Sequence, residues 1–159
     1  MGRPRILVVD DDRFIREGLR AYLERGGYEV RTAADAWTAL RWIKRSPLDL
    51  LLIDLDLSQD AELGVDGLDI IALLRIHQPE AKAILMSAVS YPGLARLARD
   101  RGAATCLEKP FDPAVLTGLM RSLLPRRGAS ASTPILCPSL PSCRPSLAGW
   151  DEDGKGVAR

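Results

Sequence analysis

The chain has 159 residues with a formal net charge of +1, and 47% of its residues are hydrophobic and 27% charged. This length suffices for one α/β core but is short for two independent domains, the balanced charge gives no overall basic field for nucleic acid, and no stretch approaches the roughly 20 consecutive apolar residues of a membrane span. Three cysteines without metal-ligand spacing favour reduced thiols, and together with an N-terminus that shows no signal-peptide pattern they predict a cytoplasmic protein.

Strand-like apolar runs alternate with helical periods along residues 4–125. In chain order the pattern predicts strand 6–9, helix 13–25, strand 28–32, a helix from an Asp35 cap to before Pro47, strand 50–54, a helix from Leu68 to before Pro79, strand 82–87, a short helix opened by Pro92, strand 103–108 and helix 112–124. On the short fourth helix, Leu94, Leu97 and Ala98 are expected to face inward. A strand followed by a helix, five times over, predicts an α/β fold with a parallel sheet.

The composition changes after Pro125. Residues 126–159 are rich in proline, serine and glycine and show neither a helical nor a strand period. We therefore predict one folded domain over residues 1–125, followed by a disordered tail. The tail is too short and too broken by proline for a helix-turn-helix module, so a DNA-binding output half is not expected.

Chemically reactive side chains follow four of the predicted strands. They are, in chain order, the triplet Asp10-Asp11-Asp12, then Asp54, Ser87 and Lys109. Right-handed crossovers place the C-terminal ends of parallel strands at one edge of the sheet, and open α/β sheets bind their ligands at that edge. We therefore expect acids, a hydroxyl and an ammonium to converge on one pocket.

The aspartates suit a cation site and phosphoryl chemistry. With an ordinary pKa of about 3.9, Asp54 is ionised at neutral pH and needs no base to attack phosphorus. Carboxylates at Asp10, Asp11 and Asp54 would repel one another by roughly 4 kcal/mol per pair at a separation of about 4 Å and an effective dielectric of about 20. They can coexist only around a cation, and hard oxygen ligands with open positions suit Mg²⁺. The third acid of the triplet, Asp12, is assigned to helix capping.

Five short motifs, in this order, resemble the response-regulator receiver domain of two-component signalling. They are the acidic pair Asp10-Asp11, the acceptor position Asp54, the pair Asp66-Gly67, Ser87-Ala88, and Lys109-Pro110-Phe111. Each motif is weak alone, whereas their joint order and spacing are specific, and the resemblance covers residues 4–125. It implies a flavodoxin-like (βα)5 fold, a doubly wound parallel sheet with strand order 2-1-3-4-5, in a stand-alone chain without an output domain.

The resemblance also implies roles for the acids. Asp54 would accept a phosphoryl group from the phosphohistidine of a sensor histidine kinase or of a His phosphotransfer protein. Asp11 and Asp54 would be direct Mg²⁺ ligands, and Asp10 would act largely through water. The backbone carbonyl of Asp56 would supply a further contact to the ion.

Two other side chains would face the phosphoryl group. In the family, the bond that corresponds to Lys109-Pro110 is cis and aims the lysine inward, where its ammonium would pair with the phosphoryl group. Ser87 would donate its hydroxyl to a phosphoryl oxygen. The protein would be a switch rather than an enzyme, catalysing only its own phosphorylation and dephosphorylation. An unknown downstream protein would bind the face made by the fourth helix, the fifth strand and the last helix, with no direct contact to nucleic acid or membrane.

Three features depart from the family pattern. Asp66-Gly67 lie 12 and 13 positions after Asp54 rather than seven and eight, so the loop over the site is longer, and Ser58 replaces a usual proline. Cys106 stands three residues before Lys109, where an aromatic residue often moves between two states. These differences are expected to affect the fit to a kinase partner, the lifetime of the phosphoryl group and the coupling to output.

Two other functions remain open from the sequence. The run Asp54-Leu55-Asp56 after a hydrophobic strand also resembles the DxD motif of haloacid-dehalogenase-type phosphatases, although in that family the DxD strand comes first and the acidic pair last. The long loop and Cys106 favour, instead, a phosphorylation-independent interaction module with a receiver fold.

Overall fold

The computed structural model describes residues 2–57 and 64–124 of the chain. The predicted tail over residues 126–159 and the departure at Ser58 lie outside the described residues. Within them, no helix is both long enough and apolar enough to cross a membrane.

Strands and helices alternate throughout the described part of the chain. The strands are β1 (Arg5–Val9), β2 (Glu29–Ala33), β3 (Leu50–Asp54), β4 (Lys82–Ser87) and β5 (Thr105–Glu108). The helices are α1 (Arg13–Arg25), α2 (Ala36–Arg45), α3 (Gly67–His77), α4 (Leu94–Arg101) and α5 (Pro113–Leu123). The predicted order of five strand-helix pairs is confirmed.

The strands form one parallel sheet with the order β2-β1-β3-β4-β5. The predicted flavodoxin-like, doubly wound fold is therefore confirmed. Val9 at the end of β1 lies opposite Ile53, and Asp54 at the end of β3 lies opposite Met86. The C-terminal ends of β1, β3 and β4 thus meet at one edge, and the reversal of strand order beside β1 opens a crevice there.

Alternating residues of the strands divide the core into two layers. Leu7 and Val9 pack with α2, α3 and α4 on one face of the sheet, whereas Ile6 and Val8 pack with α1 and α5 on the other. Because both faces are covered, β3 is buried along its whole length, as expected for a central parallel strand. A sheet packed on both sides fixes the positions of the polar residues that follow its strands.

Aspartates cap four of the helices at their N-termini. The side chains of Asp12, Asp35, Asp66 and Asp112 accept hydrogen bonds from backbone N–H groups in the first turns of α1, α2, α3 and α5. These N–H groups have no partner within the helix itself, so each cap stabilises the start of its helix. The capping roles predicted for Asp12 and Asp35 are confirmed.

The fourth helix differs from its prediction. α4 begins at Leu94 rather than at Pro92, because Gly93 has a φ of +95° and this left-handed backbone separates Pro92 from the helix. Leu97, predicted to face inward, keeps 37% of its surface exposed, whereas Leu94 and Ala98 are buried. A helix of eight residues buries only a narrow stripe, and Leu97 lies at the margin of that stripe.

Gln78, the residue after α3, holds the turn between α2 and β3. Its Nε2 donates to the carbonyl oxygens of Ile43 at 2.6 Å and Ser46 at 2.9 Å, and its Oε1 accepts from the N–H of Leu48 at 2.7 Å. We expect Gln78→Ala to lower the free energy of unfolding by about 2–4 kcal/mol, since three backbone groups lose a partner. Urea denaturation measures this loss, with the exposed neighbour Glu80→Ala as control; equal stability of the two variants would contradict the expectation.

Candidate functional site

Asp10, the residue after β1, is fully buried. Its N–H donates to the carbonyl oxygen of Ala33 at 3.3 Å, and its Oδ1 accepts from the N–H of Asp12 at 2.9 Å. Its carbonyl oxygen accepts from Nη1 of Arg16 at 2.6 Å, and its Oδ2 accepts from the ammonium of Lys109 at 2.6 Å. A carboxylate is tolerated in the interior only with such partners, so the position of Asp10 is closely defined.

The ammonium of Lys109 lies between two carboxylates. Besides its contact with Asp10, Nζ lies 3.0 Å from Oδ2 of Asp54, the last residue of β3, which is also buried. The N–H of Lys109 donates to the carbonyl oxygen of Ser87 at 2.8 Å, and the peptide bond to Pro110 is cis, as the resemblance implied. The ends of β1, β3 and β4 and the residue after β5 therefore converge, as predicted.

The environment shifts the pKa values of Asp54 and Lys109. Burial raises the pKa of Asp54 above its ordinary value; the hydrogen bond and charge of Lys109 oppose this rise, and the charge of Asp10 adds to it. Burial favours a lower pKa for Lys109, but its hydrogen bonds to Asp10 and Asp54 and their charges outweigh burial, so the pKa of the ammonium is raised. Both shifts reflect negative charge gathered in a poorly hydrated place, and a further cation would relieve it.

Asp11 completes an acidic cluster at this edge. One carboxylate oxygen from each of Asp10, Asp11 and Asp54 lies within 4.8 Å of the other two. Three hard oxygen donors suit Mg²⁺, and the ammonium of Lys109 offsets one of the three negative charges, so the residues fit a divalent cation. The carboxylate of Asp56 is not part of this cluster, and the backbone N–H of Asp56 donates to the carboxylate of Asp54. The expected cation ligand from Asp56 is its backbone carbonyl oxygen, and that role stays a prediction.

Ser87, at the end of β4, is buried. Its hydroxyl donates to the carbonyl oxygen of Val89 at 2.7 Å and accepts from the N–H of Val89 at 3.1 Å. The hydroxyl is thus engaged with the loop that follows β4. Its predicted hydrogen bond to a phosphoryl oxygen stays a prediction.

The structure shows two contacts near the acidic residues that the sequence did not predict. From α1, Nη1 of Arg16 donates to the carbonyl oxygens of Asp10 at 2.6 Å and Asp11 at 2.9 Å. Gly67, which the sequence presents as part of a motif, begins α3 so close to Asp54 that a Cβ would collide with the carbonyl oxygen of Asp54. A basic residue early in a helix that follows an acidic loop is too common for sequence alone to single out Arg16.

Comparison with known proteins identifies the family. Residues 6–121 match the profile of the response regulator receiver domain. The chain belongs to this family. As a receiver domain of two-component response regulators, it is similar to the DNA-binding transcriptional regulator NtrC of Azospirillum brasilense, with 36% identity over 134 residues, and to the transcriptional regulatory protein PrrA of Mycobacterium leprae, with 33% identity over 130 residues.

The aligned segments cover most of this receiver domain but only part of each relative. They make up 84% and 82% of this chain, and 27% of NtrC and 54% of PrrA. The chain therefore spans between about a quarter and about half of the length of these curated relatives.

Solved receiver structures resemble the same part of the chain. A CheY-like response regulator receiver domain from Methanospirillum hungatei is 27% identical with a TM-score of 0.70, covering 76% of this chain and 93% of that one. A response regulator from Burkholderia pseudomallei, solved with a phosphorylated aspartic acid, a calcium ion and citrate, is 28% identical with a TM-score of 0.67, covering 77% and 67%.

Proposed function

We propose that this receiver domain accepts a phosphoryl group on Asp54 from the phosphohistidine of a sensor histidine kinase or of a His phosphotransfer protein. The observation that carries the proposal is the contact at 3.0 Å between the Asp54 carboxylate and the Lys109 ammonium, within the cluster formed with Asp10 and Asp11. The similar response regulator from Burkholderia pseudomallei contains a phosphorylated aspartic acid, which supports the same chemistry here.

Asp10, Asp11 and Asp54 would hold Mg²⁺, with the backbone carbonyl of Asp56 as a further ligand. When bound, the ion supplies positive charge that neutralises the carboxylates and the phosphoryl oxygens. The calcium ion in the Burkholderia pseudomallei structure supports a divalent cation site in such proteins.

Phosphoryl transfer depends on three of the chain's own side chains. The carboxylate of Asp54 is the nucleophile: a bond forms between its oxygen and phosphorus, while the N–P bond of the phosphohistidine breaks and its electron pair stays on the imidazole nitrogen. The Lys109 ammonium, already beside Asp54, donates to a phosphoryl oxygen and stabilises its charge. Asp10 keeps that ammonium at the site throughout.

Ser87 would couple phosphorylation of Asp54 to a change at the protein surface. Its hydroxyl donates to the carbonyl oxygen of Val89, so donation to a phosphoryl oxygen requires the loop after β4 to give up this bond. We assign the responding surface to α4, β5 and α5, where a downstream protein would bind. The protein is then a switch that catalyses only the gain and the hydrolysis of its own aspartyl phosphate.

A phosphorylation-independent interaction module, which the sequence left open, is not favoured, because the acids and the Lys109 ammonium lie together as a reactive site. Cys106 of β5 is partly buried against the core, and this burial raises the pKa of its thiol, while the charge of Arg99 opposes the rise. A small neutral thiol has no ring that could swing between two positions, so Cys106 would not couple Asp54 to output by the movement of an aromatic side chain. A DxD phosphatase is not favoured, because the chain belongs to the receiver family.

Incubation with acetyl phosphate and Mg²⁺, followed by intact-mass measurement, tests the proposal. We expect the native chain to gain one phosphoryl group and Asp54→Ala to gain none. Asp12→Asn is the matched control, because Asp12 lies beside the cluster but caps α1, a role that asparagine also fills. An unlabelled native chain would favour the interaction module, and label on Asp54→Ala would exclude Asp54 as the acceptor.

A further inference from the structure

Arg16 anchors the acidic loop between β1 and α1. Its Nη1 donates to the carbonyl oxygen of Asp10 at 2.6 Å and to that of Asp11 at 2.9 Å. Both bonds come from one terminal nitrogen, so a single side chain holds two consecutive peptide groups. The side chain is itself partly buried, which favours a defined position over a solvated, mobile one.

The main-chain carbonyl groups and the side-chain carboxylates of the acidic residues have different partners. The carbonyl of Asp10 contacts Arg16, whereas its carboxylate contacts Lys109. The carboxylate of Asp11 joins that of Asp54 in the cluster. Without the guanidinium, the carbonyl of fully buried Asp10 would lack a donor where water cannot easily replace it. The peptide group would then turn toward another donor and carry the neighbouring carboxylates with it.

If only its charge mattered, Arg16 would weaken cation binding at this site. A guanidinium in contact with residues that gather a divalent cation repels that cation. Removing Arg16 should therefore tighten cation binding if its charge were what mattered, and should weaken binding if its hydrogen bonds to the loop matter more. The sign of the change distinguishes the two explanations.

We infer that Arg16 is a positioning residue for the divalent cation: it holds the loop of Asp10 and Asp11 so that their carboxylates face Asp54 before the cation binds. The inference rests on the proposed Mg²⁺ site and adds to it a residue that never touches the ion. Removing groups that orient metal ligands typically weakens metal affinity by about 10–100-fold.

Titration of the full chain with Mg²⁺, followed by the NMR shifts of backbone amides at the site, tests this inference. We expect Arg16→Met and Arg16→Gln to weaken Mg²⁺ binding by about tenfold or more, because methionine has no donor and glutamine is too short to reach both carbonyls. Arg13→Gln is the matched control: it removes an exposed positive charge from the same turn of α1 and should leave binding unchanged or slightly tighter.

A purely structural role for Arg16 would lower the thermal midpoint without changing the Mg²⁺ dissociation constant. Unchanged or tighter Mg²⁺ binding in a folded Arg16 variant would overturn the inference, and so would an equal loss in Arg13→Gln. The glutamine variant keeps a polar amide and decides the question where the methionine variant fails to fold. A native chain that binds no Mg²⁺ would remove the proposed metal site itself, so the two failures are distinguishable.

Discussion

Lys109→Met is expected to lower the free energy of unfolding of the metal-free protein by about 3–5 kcal/mol. The ammonium lies 2.6 Å from Asp10 and 3.0 Å from Asp54, and these residues are 0% and 8% exposed. Removing this shared partner leaves two buried negative charges side by side, which costs more than the pair itself contributes. Urea denaturation in the presence of a chelator measures the loss.

Mg²⁺ should return part of this stability, because a bound divalent cation stabilises the folded state and can stand in for the missing charge. We expect Mg²⁺ to stabilise Lys109→Met more than it stabilises the native chain.

Phosphorylation of Lys109→Met by acetyl phosphate should slow by about 100-fold, the usual cost of removing one donor to a developing charge. Lys44→Met, on the exposed side of α2, is the control and should change stability by less than about 0.5 kcal/mol. A Lys109 variant as stable as the native chain without metal would show that the ion pairs are absent in solution.

Gly67→Ala is expected to lower the free energy of unfolding by about 2–3 kcal/mol and to slow phosphorylation. Gly67 begins α3 against the backbone of Asp54, and a Cβ there would overlap the carbonyl oxygen of Asp54. Because the obstructing atom belongs to the main chain, relief requires the end of β3 or the start of α3 to move. Such a shift would take the Asp54 carboxylate away from Lys109. Urea denaturation and the acetyl phosphate assay measure the two effects.

Gly118→Ala in α5 is the matched control for this substitution. A Cβ at Gly118 meets no atom within 4 Å. Replacing a helix-interior glycine by alanine in open space is expected to raise stability by about 0.5–1 kcal/mol. If the two alanine variants changed stability by the same amount and in the same direction, the close approach at Gly67 would be refuted.

The sequence predicts those features that have a local signal. The helical and strand periods, the aspartate caps and the prolines after helices define the elements. A parallel sheet then places Asp10, Asp54 and Lys109 at the same edge, because the carboxyl ends of all its strands lie there. The structure brings these three side chains into direct contact.

Other features have no local signal and could not be predicted. The side-chain amide of Gln78 forms hydrogen bonds with backbone groups 30 to 35 residues away in sequence. No residue near Gln78 in the sequence indicates these bonds. The inward assignment of Leu97 failed because a period of 3.6 residues defines a face but not how far a neighbouring helix or strand covers it. The role of Arg16 depends on the orientation of two carbonyl groups, which side-chain patterns do not report.

The end of β3 and the start of α3 are joined directly. The N–H of Gly67 donates to the carbonyl oxygen of Leu55 at 3.1 Å, and the N–H of Leu55 donates to the carbonyl oxygen of Met86 at 2.8 Å. Main-chain hydrogen bonds therefore run from the first residue of α3 through Leu55 to β4. Through this relay, a displacement at Gly67 reaches both the backbone beside Asp54 and the strand that ends at Ser87.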